Sequence, residues 1–185
     1  MNMTVELKKL MDGNKRYLEA KQNSGDISLS IRKETTDNGQ HPFAIVITCA
    51  DSRVVPEHMF MCGLGEIFVI RVAGNVLTDT QIASVLYGME HLKAKLIVVL
   101  GHTHCGAIGA TIEGGVSGVI KSLTDEIKSA IGKEKDDYKA CALNVKKGLA
   151  KLINHPEINK VANHMGSSII GAIYNIDTGI VDFNI

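Results

Sequence analysis

Two stretches of this chain, Phe43-Ala-Ile-Val-Ile-Thr48 and Leu96-Ile-Val-Val-Leu100, are apolar at nearly every position and rich in β-branched residues. A strand with one wet face alternates apolar and polar side chains. An uninterrupted apolar run instead predicts a strand buried on both faces, as in the interior of a parallel sheet. Such a sheet has to be covered by helices on both sides, which restricts the chain to the α/β class. Glu66-Ile-Phe-Val-Ile-Arg71 reads as a further strand. Ser168–Ile176 and Gly179–Ile185 flank the compact turn Asp177-Thr178-Gly179 and predict a hairpin-like pair at the chain's end. The expected fold is therefore a central, mostly parallel sheet of about five strands with flanking helices and an antiparallel C-terminal strand.

Helical periodicity fills the spaces between the strands. Leu7, Leu10, Met11, Tyr17 and Leu18 predict an amphipathic helix over residues 4–21, with Thr4 as its cap, and the polar stretch 22–40 reads as loop or frayed helix. Further helices are expected over 78–92, over 107–112 before the Gly114-Gly115 stop, around Ile120–Ile127, and along Tyr138–Ile153. Pro156 opens a short last one. At 185 residues and with no internal repeat, the chain reads as a single domain over 1–185.

Twenty basic and twenty acidic residues cancel, so no global field draws in nucleic acid or an anionic membrane. No apolar run approaches the roughly 20 residues of a membrane span. The charged, amphipathic start lacks the apolar core of a secretion signal, which makes the cytoplasm the expected location. Gly101-x4-Gly106-x2-Gly109 lacks the spacing of a dinucleotide loop, and Gly132-Lys133 is followed by Glu134 rather than Ser or Thr, so nucleotide-binding readings are weak. Function has to come from a local site.

The carboxyl ends of two expected strands carry the unusual chemistry: Cys49-Ala-Asp51-Ser52-Arg53 and Gly101-His102-Thr-His104-Cys105-Gly106. Ligands of open α/β sheets bind beyond such ends, and neighbouring strands would make the two loops converge. Cys49, His102 and Cys105 then offer two thiolates and an imidazole, a donor set suited to tetrahedral zinc with its fourth position open, as catalytic sites keep it. Asp51, two residues from Cys49, can either take that fourth position or pair with Arg53, which would hold its carboxylate away from the metal.

Cys-x-Asp-Ser-Arg followed some fifty residues later by Gly-His-x-x-Cys-Gly resembles the β-class carbonic anhydrases. Phe68-Val-Ile-Arg71-Val-Ala-Gly-Asn75, the helix from Ser84 to Leu92, and the closing Ile169–Gly179 segment are also similar to that family, so the likeness runs from about Pro42 to the C-terminus. Val72 and Ala107 depart from the commonest family wording, and neither change touches the five site residues. The resemblance implies one zinc per subunit on Cys49, His102 and Cys105, with Asp51 and Arg53 as the catalytic dyad. It implies reversible hydration of carbon dioxide to bicarbonate and a proton by zinc-bound hydroxide. It also implies a homodimer or dimer of dimers in which the N-terminal helix packs on a second subunit.

Because two thiolates neutralise the metal's charge, activity is expected to rise towards alkaline pH. Two rivals share the site: a hydrolase of carbon disulfide or carbonyl sulfide, and a non-catalytic zinc-binding homologue. A closed structural zinc site with Cys62 or Cys141 as fourth ligand would leave Asp51 and Arg53 without a role, and both cysteines read better as buried small hydrophobes. His104 is either a proton shuttle at the pocket mouth or a plain exposed loop residue. Arg71 reads as one half of a salt bridge across a subunit interface rather than as a functional cation.

Overall fold

The computed structural model describes residues 3–185. In chain order its elements are α1 (Val5–Glu19), α2 (Leu29–Asn38), β1 (Ala44–Thr48), α3 (Pro56–Met59), β2 (Ile67–Arg71), α4 (Asp79–Glu90), β3 (Leu96–His102), α5 (Gly106–Glu113), α6 (Ile120–Ile131), α7 (Asp137–Asn154), α8 (Pro156–Met165), β4 (Ser168–Tyr174) and β5 (Val181–Asp182). The sheet has the order β2-β1-β3-β4-β5. Its first four strands are parallel, and β5 returns antiparallel to β4.

The apolar runs divide their side chains between two cores. Ile45 and Ile47 of β1, with Ile97 and Val99 of β3, face a core built with helices α4 to α8. Ala44 and Val46, with Leu96, Val98 and Leu100, face a second core closed by α1, α3 and the C-terminal residues. This two-sided burial is what the absence of alternation encodes. Ile97 is fully buried, so Ile97→Ala is expected to lower unfolding stability by about 2–5 kcal/mol, measured by denaturant titration at unchanged m-value.

Most expected boundaries lie within two or three residues of those observed. The stretch 22–40, expected as loop or frayed helix, contains the helix α2, capped by the Ser28 side chain; it buries no residue, so no apolar stripe marks its bounds. The last strand shortens to two residues, while β3 runs on through Gly101 and His102 because both pair with β4, at Ile173 and Tyr174. Gly101 has a further purpose: a Cβ there would lie 2.6 Å from a Val145 methyl carbon, so only glycine lets α7 come this close to the end of β3.

One buried side chain ties the chain's two ends together. The Asn14 amide in α1 donates to the carbonyls of Met59 and Gly179, and its oxygen accepts the Val181 N–H. Each of its hydrogen-bonding groups is used, which is what permits a buried amide here.

Candidate metal centre

The chain leaves β1 for β2 on one side and later places β3 on the other, so the strand order reverses at the β1–β3 boundary. The carboxyl ends of these two strands flank the resulting crevice, where open α/β sheets bind their ligands. Cys49 follows β1 directly, His102 is the last residue of β3, and Cys105 precedes α5. Their donor atoms lie within 4.8 Å of one another and all three residues are buried.

Two observations show that this group suits a metal. The Nδ1 of His102 donates to the Thr103 carbonyl at 2.9 Å, which leaves Nε2 as a lone-pair donor, and that atom is buried with no partner. Zinc–sulfur bonds of about 2.3 Å at a tetrahedral angle place two sulfurs about 3.8 Å apart, which the 4.8 Å limit on the donor separations here accommodates. Cys62 and Cys141 are not among the three. Cys62 lies in the core on the opposite face of the sheet, and the Cys141 thiol donates to the His102 carbonyl at 2.9 Å.

Protons are unevenly distributed over the three donors. A hydrogen bond from Cys105, outweighing the opposing effect of burial, holds the Cys49 thiol far below its ordinary value. The same hydrogen bond, with burial, pushes Cys105 well up. For His102 burial is the largest influence and opposes charging, yet the neighbouring Cys49 thiolate outweighs it and raises the imidazole. Cys49 is thus the ready thiolate, and its sulfur also accepts N–H groups from Asp51 at 3.4 Å and Gly74 at 3.2 Å. Cys105 stands at the N-cap of α5, where free backbone N–H groups favour a negative sulfur once its proton has left.

Asp51 stays outside the three-donor group because Arg53 holds it. The guanidinium donates from Nε to Oδ1 at 3.0 Å and from Nη2 to Oδ2 at 2.8 Å, and the Arg53 backbone N–H adds a bond to Oδ1 at 2.9 Å. This fork keeps the carboxyl down at about 2. Arg53 Nη2 also reaches the His104 carbonyl at 3.0 Å, joining the two loops. His104 itself lies exposed, with Nε2 2.9 Å from Asp177 Oδ2.

Arg71 does something the sequence did not show. Its guanidinium donates to the carbonyls of Cys49 at 3.2 Å and Asp51 at 2.7 Å, bracing the loop from within the same chain. Contacts of this kind are invisible to motif reading because they end on backbone, and any residue can supply a carbonyl.

Residues 44–181 match the family described as carbonic anhydrase. Among curated proteins, a carbonic anhydrase of Mycolicibacterium smegmatis is 38% identical over 135 residues, covering 70% of this chain and 65% of that protein. Carbonic anhydrase 2 of Mycobacterium tuberculosis is 39% identical over 111 residues, covering 60% of this chain and 53% of that one. The matched chain thus spans less than two thirds of either relative's length. A solved β-carbonic anhydrase from Coccomyxa, in complex with acetazolamide, superposes with TM-score 0.73 at 27% identity, covering 98% of this chain and 87% of its own. The family match covers both loops of the three-donor group and the four parallel strands, so site and scaffold lead to one assignment: the chain belongs to the β-class carbonic anhydrase family.

Proposed function

We propose that this chain is a carbonic anhydrase that holds one zinc ion on Cys49, His102 and Cys105 and interconverts carbon dioxide and bicarbonate. The observation that carries this reading is the pairing of a group of three buried donors with a carboxylate two residues from one of them, held by an arginine fork. Zinc at such a site supplies Lewis acidity, which lets a water molecule lose its proton and attack carbon dioxide. Asp51 would accept a hydrogen bond from a water held at that metal and orient it. Arg53 holds the carboxylate ionised and prevents it from swinging onto the metal.

Stopped-flow measurement of carbon dioxide hydration by zinc-loaded protein tests the reading. Turnover is expected to rise from near-neutral to alkaline pH, because two thiolates cancel the metal's double charge and the water keeps its proton longer. Asp51 is ionised down to about 2, so its own protonation adds no limb in this range. Asp51→Ala is expected to abolish most of the turnover. A pH-independent rate would overturn the assignment of the ionising group. Hydrogen sulfide release from carbonyl sulfide without carbon dioxide turnover would select the sulfur-substrate reading, and bound zinc with no turnover of either would select the non-catalytic one.

Zinc uptake is expected to release protons. Ligands bind deprotonated, and Cys105 keeps its proton at neutral pH in the metal-free site. Calorimetric titrations in buffers of different ionisation heat should therefore show at least one proton passing to the buffer per zinc bound. Affinity should weaken as the pH falls.

The assembly we assign is a homodimer or dimer of dimers made through α1. That helix buries Leu7 and Leu10 in its own subunit yet leaves Val5 83% exposed, with Met3 just ahead of it 61% exposed, an apolar surface suited to a second copy. Light scattering on the intact chain and on Val5→Glu distinguishes dimer from monomer. No helix among the described residues is long and apolar enough to cross a membrane, and four free thiols suit a reducing compartment, the cytoplasm.

A further inference from the structure

Helix α7 presents two polar side chains, Cys141 and Asn144, in its buried stretch, and both end on backbone beside the metal centre. Cys141 reaches the carbonyl of His102. Asn144 donates from Nδ2 to the carbonyl of Gly74 at 2.8 Å, and the N–H of that same glycine donates to the Cys49 sulfur at 3.2 Å. An asparagine buried on a helix otherwise lined by Val145, Gly148 and Leu152 adds nothing that an apolar residue would not supply to packing. Its use is the hydrogen bond.

We propose that Asn144 is a positioning residue for the metal centre: by fixing the Gly74 carbonyl it aims the Gly74 N–H at Cys49 and sets how much charge that thiolate gives to a bound metal. The inference rests on the reading that Cys49 is a metal ligand.

The geometry transmits the constraint over a short path. Gly74 is left-handed, with φ 64° and ψ 17°, a conformation for which glycine carries no steric penalty. A Cβ built on it would lie 2.7 Å from Ile127 Cδ1 and 3.2 Å from the Ala107 side chain, so the turn is wedged between α5 and α6 with no room for another residue. Its amide and carbonyl belong to adjacent peptide planes joined at that one Cα. With φ and ψ held by packing, fixing the direction of one fixes the other. A hydrogen bond donated to a thiolate draws charge from the sulfur and stabilises its anionic form. Of the two backbone N–H groups on Cys49, the Gly74 bond is the shorter.

Cobalt(II) alone, titrated into wild-type protein, Asn144→Leu and Leu152→Ala, provides the test. Leu152 is a buried residue of the same helix two turns further on; truncating it loosens α7 while leaving the donor in place. The sulfur-to-cobalt charge-transfer band is expected to move to lower energy in Asn144→Leu, because a sulfur relieved of its N–H gives up an electron more easily, and to stay in place in Leu152→Ala. A band at the wild-type position in Asn144→Leu with cobalt fully bound would overturn the proposal while leaving the metal site standing. No sulfur band in the wild-type protein would overturn the metal reading and the proposal together. Should Asn144→Leu fail to fold, wild-type protein loaded with cadmium-113 decides: scalar coupling from the metal through sulfur to the Gly74 amide proton is expected. Its absence, with coupling to the Cys49 β-protons present, would overturn the proposal.

Discussion

Arg53→Ala is expected to leave zinc bound, or bound more tightly, while removing most of the carbon dioxide turnover. Arg53 makes three hydrogen bonds to the Asp51 carboxylate and a fourth to the His104 carbonyl. Two of the three come from the guanidinium, a planar fork that fixes both carboxylate oxygens at once. Without it Asp51 is a free anion two residues from Cys49 and beside a divalent cation, and closing the open coordination position becomes its favourable course. A site closed by a fourth side chain is structural rather than catalytic. Orienting groups of this type are worth about 10²–10⁴ in rate, and the loss should fall in that range. Because Arg53 acts through Asp51, the effects of Arg53→Ala and Asp51→Ala should be strongly non-additive. In the double variant the zinc should return to its original affinity, since the capping carboxylate is gone. Arg53→Lys should rescue little, because a point charge cannot hold both oxygens. A simple additive pair, measured by zinc competition and stopped-flow kinetics together, would show that the two residues act separately.

Cys105→Ala carries the other large effect. Removing an outer partner of a metal ligand costs about 10–100-fold in affinity, and removing the ligand itself should exceed that, with turnover falling in step with occupancy. Of the two thiols Cys105 is the more informative one to remove. In the metal-free protein it is the donor whose hydrogen bond keeps Cys49 ionised, so its loss should also return Cys49 towards an ordinary thiol and slow its alkylation at mildly acidic pH. His102 would lose part of what raises it against the opposing effect of burial, since that comes from the Cys49 thiolate. A variant with zinc affinity unchanged, measured by chelator competition, would remove Cys105 from the ligand set.

The fold was legible where burial leaves a pattern. β1 and β3 announce themselves by unbroken apolar runs, and α1 and α7 by periodic ones. For α2 a frayed helix was one of two readings and its bounds escaped, because a helix that buries nothing has no stripe to read and its cap, Ser28, is one serine among several in a polar stretch. The end of β3 escaped because Gly101 and His102 look like a break in the apolar run, although their backbones continue the ladder. The three donors and Asp51-Ser52-Arg53 were legible because such residues are out of place at the mouths of buried strands. Arg71, Cys141 and Asn144 were not, since each acts on a carbonyl and a carbonyl has no letter in the sequence.

The buried amide of Asn14 bears on the order in which the molecule assembles. Its partners include Gly179 and Val181, 165 and 167 positions further along the chain. Synthesis proceeds from the N-terminus, so α1 exists long before the residues that lock it. During that interval the apolar side of α1 has only an unfinished surface to rest on, and the loop to be closed spans 165 positions. α1 is therefore made early and secured late: the synthesis of β5, rather than the making of α1, sets the moment at which the second core can close.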